Sequence, residues 1–307
     1  MAALDARRAM SIGRTIRIYL DDGLITGIRH AEIVNWTGQA ISAPRTKIKL
    51  LSDWPESKKP GVYFLFGVDD ESGNPALYIG EAENVLDRLS NHLANKDFWN
   101  EVIFFTSKDE NITKSHVKYL ESRLVQLAKT ANRYVLLNSN APQLSSLPRG
   151  DRDSMEEFIG NLRTLIGVMG HKALEPIASH ENILIKEISA SLKVTETTEN
   201  IFNLNIKGIK ATSIVSNEGI VVLEGSTVSS NVKESLSGGY KKLRGQLLES
   251  GTISSVEGVL KFTKDQLFTS PSQAAAIIVG YAINGRHSWQ TPEGVSLKQI
   301  EDGSESI

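Results

Sequence analysis

Gly61-Val62-Tyr63 and, after a gap of 14 residues, Tyr78-Ile79-Gly80 lie in the two short apolar runs that decide the fold of this chain. The segment between the runs, Val68-Asp69-Asp70-Glu71-Ser72-Gly73-Asn74-Pro75, is dense in residues that favour turns. Two apolar runs joined by such a segment predict a β-hairpin, which here carries one tyrosine on each strand.

Side chains alternate between the two faces of a strand. We therefore expect Tyr63 and Leu65 to share one face of the first strand. The opposite face would hold Val62, Phe64 and Phe66. A tyrosine at such a position is often simply a half-buried strand residue. A phenol can also accept a proton from a metal-bound water when its pKa falls well below about 10, and the hairpin leaves both interpretations open.

The chain from about residue 60 to 145 continues in the predicted order β-β-α-β-α-β. Apolar residues at spacings of three and four predict helices over about 83–95 and 113–130. Short apolar runs predict the remaining strands at 102–105 and 134–137. This order predicts a small α+β unit around a central antiparallel sheet.

Length and changes of composition predict several regions in the 307 residues. They are an N-terminal β extension (1–50), the unit just described (51–150), a helix and linker (151–200), and a second α+β domain (201–300). In the extension, strands are expected at 15–20, 24–25 and 33–36, and residues 51–60 are expected to be a loop. Asn35-Trp36-Thr37-Gly38 predicts a tight turn with a buried tryptophan.

Two helix signals stand out in the second half of the chain. Ser154-Met155-Glu156-Glu157 is a capping-box pattern, so a helix is expected to begin there and either to pack on the preceding unit or to bridge to the next domain. A serine cap at Ser270, proline at the first helical position and Gly280 at the end mark another helix. Residues 301–307 are expected to form a disordered tail.

Three polar residues on the helices of the central unit are candidates for chemistry. Glu121 stands at the edge of the buried stripe, and Mg²⁺ prefers oxygen ligands such as a carboxylate. Arg88 and His92 are four residues apart, so they project from one helix face. An arginine can clamp a phosphate, and a histidine can bind phosphate or move a proton. Each residue also has a structural explanation without chemistry. Glu121 can be a solvated helix glutamate, Arg88 can pair with a nearby acid, and His92 can be present by chance.

Two glycines and an asparagine flank these elements. Gly61 and Gly80 would let backbone or a phosphate approach closely, or would simply end the strands. Asn138 ends the last strand, where an asparagine commonly turns the chain.

Over roughly residues 60 to 140, the chain resembles the GIY-YIG nuclease family. The matching positions are Gly61-Val62-Tyr63, Tyr78-Ile79-Gly80, Asn84, Arg88, His92, Glu121 and Asn138. The resemblance implies an endonuclease that hydrolyses phosphodiester bonds of DNA with Mg²⁺ or Mn²⁺. With one catalytic carboxylate, it implies a single-metal site. Glu81 and Glu83 depart from this picture, because they add negative charge where a DNA phosphate would pass.

The resemblance also implies a role for each matching residue. Tyr63 would be the general base or its relay, and Tyr78 would position phosphate or water. Arg88 would stabilise the pentacovalent phosphate, and His92 would assist the tyrosine or the phosphate. Glu121 would hold the divalent metal. The last position, Asn138, would orient the site.

Two alternatives stay open at this point. The same scaffold could recognise nucleic acid or a protein without cutting. It could also be a purely structural interaction protein in which both tyrosines only pack.

Residues from about 235 to 297 resemble a domain of unknown function that is often fused behind GIY-YIG nucleases, which implies no chemistry. The residues that carry this resemblance are Phe268, Ser270-Pro271-Ser272, Ala274-Ala275, Gly280, Asn284-Gly285 and Trp289. Basic and aromatic side chains there could form a phosphate-and-stacking surface, or a solvated rim around a core tryptophan. They are Lys241, Lys242, Arg244, Lys261, Lys264, Arg286, His287 and Trp289.

Composition limits the remaining classes. A net charge of −2 argues against a general DNA-coating protein, although a local basic patch stays possible. Zero cysteines exclude a disulfide framework and thiolate metal sites. The start lacks the apolar stretch of a signal peptide, and no apolar run approaches about 18 residues. We therefore expect a cytoplasmic protein that does not associate with membranes, and no oligomeric state is indicated.

Overall fold

The computed structural model describes residues 13–138, 145–176, 201–216 and 218–304. The chain divides into two compact units, Met1–Pro176 and Ile177–Ile307. Both combine sheets with helices, so the fold is α+β, as predicted. Among the described residues, no helix is both long and apolar enough to cross a membrane.

The first unit is built on a seven-stranded sheet. Its strands are β1 (Ile16–Leu20), β2 (Arg29–Ile33), β3 (Gly38–Pro44), β4 (Gly61–Val68), β5 (Pro75–Ala82), β6 (Trp99–Ser107) and β7 (Val135–Leu136). The order across the sheet is β1-β2-β3-β6-β4-β5-β7. All neighbours pair antiparallel except β5 and β7, which are parallel. The predicted hairpin is confirmed as β4 and β5.

Helices cover both faces of this sheet. They are α1 (Val85–Asn95), α2 (Lys114–Ala131) and α3 (Arg149–Val168), with 3-10 helices at Arg45–Asp53 and Pro55–Lys58. One core cluster joins Val62, Phe64 and Phe66 to α2 and α3. The other joins Tyr63 and Leu65 to α1 and the first 3-10 helix. The alternation predicted for the first strand of the hairpin is therefore confirmed.

Of the N-terminal β extension predicted for residues 1–50, residues 16–44 join the sheet of the central unit and are not set apart from it. They contribute β1, β2 and β3, and β3 pairs with β6. No pattern predicted β3, because it is buried on both faces and its small residues do not alternate with polar ones. The strand expected at 24–25 is wrong, because Leu24 and Ile25 are exposed in a loop. The loop expected at 51–60 contains 3-10 helix.

The turn at Asn35 is present, with a positive φ of 66°. The following Trp36 is half-buried, and its ring lies 4.8 Å from that of Phe158. The predicted start of α3 is wrong, because the helix begins at Arg149 and Ser154 lies inside it. A helical hydrogen bond from the amide of Arg152 to the carbonyl of Pro148 shows that the first turn precedes the capping-box pattern.

The apolar side of α3 is buried as predicted, and the helix packs on α2, β2 and β3. It therefore covers the first unit's own sheet, the first of the two positions expected for it. Of the linker expected up to residue 200, residues 177–200 lie outside the described residues.

The second unit contains two antiparallel sheets, of order β13-β10-β9-β8 and β11-β12. Its strands are β8 (Ile201–Ile206), β9 (Ile209–Ser216), β10 (Gly219–Val222), β11 (Ile253–Val256), β12 (Val259–Phe262) and β13 (Gln266–Phe268). Its helices are α4 (Gly238–Glu249), α5 (Pro271–Val279), α6 (Gly285–Ser288) and α7 (Leu297–Ser304).

Helix α5 lies in the hydrophobic core of this unit, and its bounds are those predicted. The Ser270 hydroxyl accepts a hydrogen bond from the amide of Gln273, and Gly280 ends the helix at φ 80°. The prediction of a disordered tail from residue 301 is wrong for residues 301–304, because these residues belong to α7. Arg286 forms ion pairs with Glu301 and Asp302 of that helix, and residues 305–307 lie outside the described part of the chain.

Candidate active site

Tyr63 lies at the centre of the candidate site and is fully buried. It sits on β4 opposite Gly80 of β5. A Cβ atom at Gly80 would lie 2.2 Å from the Tyr63 hydroxyl oxygen, closer than real Cβ atoms come. Glycine at this position therefore makes room for the phenol, which explains why the tyrosine of one tripeptide needs the glycine of the other.

Helix α1 presents Arg88 and His92 to this phenol. Its first turn is capped by Asn84, whose side chain accepts a hydrogen bond from the amide of Asp87. Arg88 Nε donates to the Tyr63 oxygen at 3.3 Å, and His92 Nε2 lies 2.8 Å from the same oxygen. The residue spacing of four thus brings both side chains to one atom.

The protonation of this network follows from its burial. Burial first, and the positive charges of Arg88 and Lys96 second, lower the pKa of His92 to about 4. Its imidazole is therefore neutral at pH 7. Burial, followed by the nearby Tyr78, raises the pKa of Tyr63 well above that of a free phenol, although Arg88 acts in the opposite direction. The Tyr63 hydroxyl accepts from Arg88, and in the neutral tautomer of His92 that leaves Nε2 unprotonated it donates its own proton to that atom.

Tyr78 completes an aromatic cluster around His92. Its ring centre lies 5.5 Å from that of His92 and 6.3 Å from that of Tyr63. Lys96 places its Nζ atom 4.3 Å from the Tyr78 ring centre, a cation–π contact. Sequence reasoning missed Lys96. Its signal is the spacing of four after His92, which continues the face formed by Arg88 and His92 to the end of the helix.

Glu121 supplies the carboxylate of the site. It is half-buried on α2 and has no hydrogen bond or ion pair with another described residue. Burial, followed by the negative charge of Glu81, raises its pKa to about 7, while Arg88 and Lys118 lower it. The charge of Glu121 also raises the pKa of Tyr63, so the carboxylate and the phenol share one electrostatic environment.

The carboxylates of Glu121 and Glu81 are the groups of this site that could bind a divalent metal. The described residues contain no group of three or more His, Cys, Asp or Glu side chains that could hold a metal ion. Mg²⁺, however, commonly takes only one or two protein carboxylates and completes its shell with water and phosphate oxygens. Glu121 is half-buried near Glu81 and has no ion pair with a described residue, so its carboxylate could serve as one such ligand. Sequence reasoning treated Glu81 only as a source of repulsion.

Asn138 and Gly61 act through the backbone. The Asn138 amide donates to the carbonyl of Ile79 at 2.7 Å, and its oxygen accepts from the Ile79 amide at 3.1 Å. It thereby fixes the strand that carries Tyr78 and Gly80. A Cβ atom at Gly61 would lie 2.4 Å from the carbonyl oxygen of Phe105, so this glycine allows β4 and β6 to approach closely.

The structure therefore brings Tyr63, Tyr78, Arg88 and His92 into one cluster, with Glu121 electrostatically coupled to it. Arg88 is exposed above the buried phenol, so the cluster is open to a substrate on that side.

The basic surface considered for the second unit is not formed as predicted. Trp289 is fully buried and donates a hydrogen bond to the carbonyl of Pro271 at 3.0 Å. Arg244 is only 4% exposed. The alternative of a core tryptophan is confirmed.

Comparison with known proteins adds one finding. Residues 202–301 match the family model described as Domain of unknown function (DUF4357). This match agrees with the C-terminal domain of unknown function predicted for residues 201–300 and covers more of it than the residues from about 235 to 297 that carried the resemblance. No curated protein and no solved structure matches the chain. The nuclease resemblance of residues 60 to 140 stays a prediction that rests on the site residues.

Proposed function

We propose that the first unit is a metal-dependent endonuclease that hydrolyses phosphodiester bonds of DNA. The observation that carries the proposal is the Tyr63 hydroxyl, which accepts from Arg88 and shares a hydrogen bond with His92 Nε2, while Glu121 stands unpaired nearby. This set offers a cation for a phosphate, a route for a proton and a ligand for a metal. Those are the requirements of phosphodiester hydrolysis.

Arg88 would bind the scissile phosphate. A guanidinium has five N–H donors, and the bond to Tyr63 uses only one of them. The others can bind two phosphate oxygens and stabilise the charge that grows on them in the transition state. Because Arg88 lies over the phenol, its movement towards a phosphate would also uncover the Tyr63 oxygen.

Tyr63 and His92 would move the proton of the attacking water. The raised pKa of Tyr63 argues against a stable phenolate. The water proton would instead pass to the Tyr63 oxygen while the phenol proton passes to His92 Nε2. Because the pKa of His92 is about 4, the imidazole would hold this proton only transiently and release it to the solvent. The water oxygen then forms a bond to phosphorus, the bond from phosphorus to the leaving oxygen breaks, and that oxygen takes a proton from solvent.

Glu121 would hold Mg²⁺ or Mn²⁺, with Glu81 as a neighbouring carboxylate. A bound divalent ion supplies positive charge that stabilises the developing charge on the phosphate and the leaving oxygen. Because Glu121 is the one unpaired carboxylate coupled electrostatically to Tyr63 and Arg88 among the described site residues, the arrangement suits one metal better than a two-metal clamp.

A cleavage assay tests this proposal. The full chain is incubated with supercoiled plasmid and with single-stranded DNA, each with Mg²⁺, Mn²⁺ or EDTA. We expect nicked, linear or shortened products only with a divalent metal. Glu121→Ala should abolish them while circular dichroism shows a folded protein.

Glu157→Ala is the matched control, because Glu157 is an exposed glutamate on α3 and lies outside the cluster. It should cleave like the wild type. Unchanged cleavage by Glu121→Ala would reject the metal assignment. Intact DNA with every metal, together with DNA binding in a gel-shift assay, would favour the non-cleaving binding module.

A further inference from the structure

A cavity of about 450 Å³ lies within the second unit and has no role in the proposed nuclease. One wall is the β8–β9 hairpin turn at Lys207 and Gly208. Another is the irregular segment 228–233, and the end of α5 with Tyr281 forms the third. Its volume falls in the range of about 300–1,000 Å³ that small-molecule sites occupy.

The backbone carbonyl groups at the end of α5, which forms one wall of the cavity, already have hydrogen-bond partners within the protein. The carbonyls of Ala276 and Ile278 accept hydrogen bonds from the amides of Gly280 and Ser229. The carbonyl of Ile277 accepts from Arg244, which also donates to the carbonyl of Ser229. The negative end of the helix therefore needs no further cation.

Arg244 is a buried positive charge directly behind the Ser229 wall. It is 4% exposed, and both of its hydrogen bonds go to backbone carbonyls and not to a carboxylate. A charge held in such a low-dielectric position acts over a longer distance than one in water. Because Arg244 offsets the negative end of α5, that end does not compensate the lysines of the cavity.

Two lysines line the cavity in defined positions. Lys207 and the following Gly208 both have positive φ, 48° and 84°, so they form a tight two-residue turn. Lys233 holds its Nζ atom 4.9 Å from the ring centre of Tyr281. Of the lining residues that the structure describes, none carries a carboxylate. The cavity thus combines lysines on two walls with no carboxylate among its described lining residues.

Neutral donors and an apolar wall complete the site. The side chains of Ser230 and Asn231 line the cavity and form no hydrogen bond with another described residue. Ile206, Ile209 and Val279 form an apolar side next to Tyr281. A ligand that suits all these groups has a phosphate at one end and a flat apolar ring at the other.

We propose that this cavity binds a nucleotide, with its phosphate between Lys207 and Lys233 and its base against Tyr281. The nucleotide can be free or can be the 5′-phosphorylated end of a strand. The proposal does not rest on the nuclease function, because all the residues involved belong to the second unit.

Isothermal titration calorimetry of the full chain in EDTA tests the proposal, because EDTA stops metal-dependent cleavage. The probes are AMP, inorganic phosphate and adenosine, followed by a short oligonucleotide with and without a 5′-phosphate. AMP should bind more tightly than phosphate or adenosine. Tighter binding of the phosphorylated oligonucleotide than of AMP would identify a strand end as the source, and the reverse would identify free nucleotide.

Variants distinguish nucleotide binding in the cavity from a general effect of removing a positive charge. Lys207→Asn removes the ammonium but keeps a residue that favours positive φ, so the turn remains folded. Lys207→Asn and Lys233→Gln should each weaken AMP binding about tenfold. Tyr281→Leu should remove the preference for AMP over phosphate. Lys264→Gln is the control, because Lys264 is an exposed lysine of the same unit outside the cavity, and it should bind AMP like the wild type. No binding of any probe, equal loss in Lys264→Gln, or equal affinity for AMP and phosphate would overturn the proposal.

Discussion

Replacing Glu121 by glutamine should stabilise the first unit at alkaline pH. The carboxylate is half-buried, it lies near Glu81, and its pKa rises from 4.5 to about 7. The folded chain therefore binds this proton more tightly than the unfolded chain does. Ionisation consequently opposes folding, with a cost that is absent below pH 4.5, grows between 4.5 and 7, and is complete above 7.

The size of the effect follows from the same two pKa values. At about 1.4 kcal/mol per pH unit, the difference between 4.5 and about 7 gives an upper limit of about 3.5 kcal/mol. Glu121 is partly exposed, and solvent screening reduces this to about 1–2 kcal/mol. Glu121→Gln should therefore raise the free energy of unfolding by about 1–2 kcal/mol at pH 8 and leave it unchanged at pH 4.5.

Urea unfolding followed by tryptophan fluorescence measures this quantity. Trp36, Trp54 and Trp99 lie in the first unit, so the signal reports mainly on that unit. The control Glu83→Gln should change stability by less than about 1 kcal/mol at either pH, because its carboxylate is exposed and paired. Adding Mg²⁺ at pH 8 should stabilise the wild type but not Glu121→Gln. A Glu121→Gln variant that is less stable than the wild type at pH 8 would refute the reasoning.

Three further predictions concern the remaining site. Gly80→Ala should displace the Tyr63 phenol and destabilise the fold by about 1–3 kcal/mol in urea unfolding, whereas the control Gly160→Ala, in open space on a helix, should stabilise it slightly. Equal effects of both variants would contradict the close contact. Tyr63→Phe keeps the ring but removes the proton route, so DNA cleavage rates should fall about 10²–10⁴-fold, and wild-type rates would exclude the relay. Asn138→Ala should cost about 1–2 kcal/mol and speed hydrogen exchange at the Ile79 amide, and unchanged exchange would show that these bonds do not hold the strand.

The elements around the site could be predicted because their signals are local. Alternation placed Tyr63 on the correct face of its strand, and a spacing of four placed Arg88 and His92 together. Strand β3 could not be predicted, since a strand buried on both faces loses its alternation. The predicted start of α3 was wrong because a capping-box pattern does not by itself mark the first turn. Here the pattern at Ser154 lies inside a helix that begins at Arg149.

Other features depend on contacts between distant parts of the chain. That Gly80 must be glycine follows from the Tyr63 phenol across the hairpin, which no local pattern contains. The burial of Arg244 is equally invisible in the sequence, where a charged residue is expected at the surface, whereas a core position for Trp289 was one of the two alternatives that the sequence left open. The place of Lys96 in the site likewise depends on the contact between its ammonium group and the ring of Tyr78 on another element.

Cleavage of plasmid DNA in ¹⁸O-labelled water with Mg²⁺ is the most direct test of the central claim. The account predicts metal-dependent strand breaks, each with one ¹⁸O atom in the terminal phosphate, because water routed through Tyr63 and His92 attacks phosphorus. Intact plasmid with either Mg²⁺ or Mn²⁺, or broken strands whose phosphates carry no label, would contradict it.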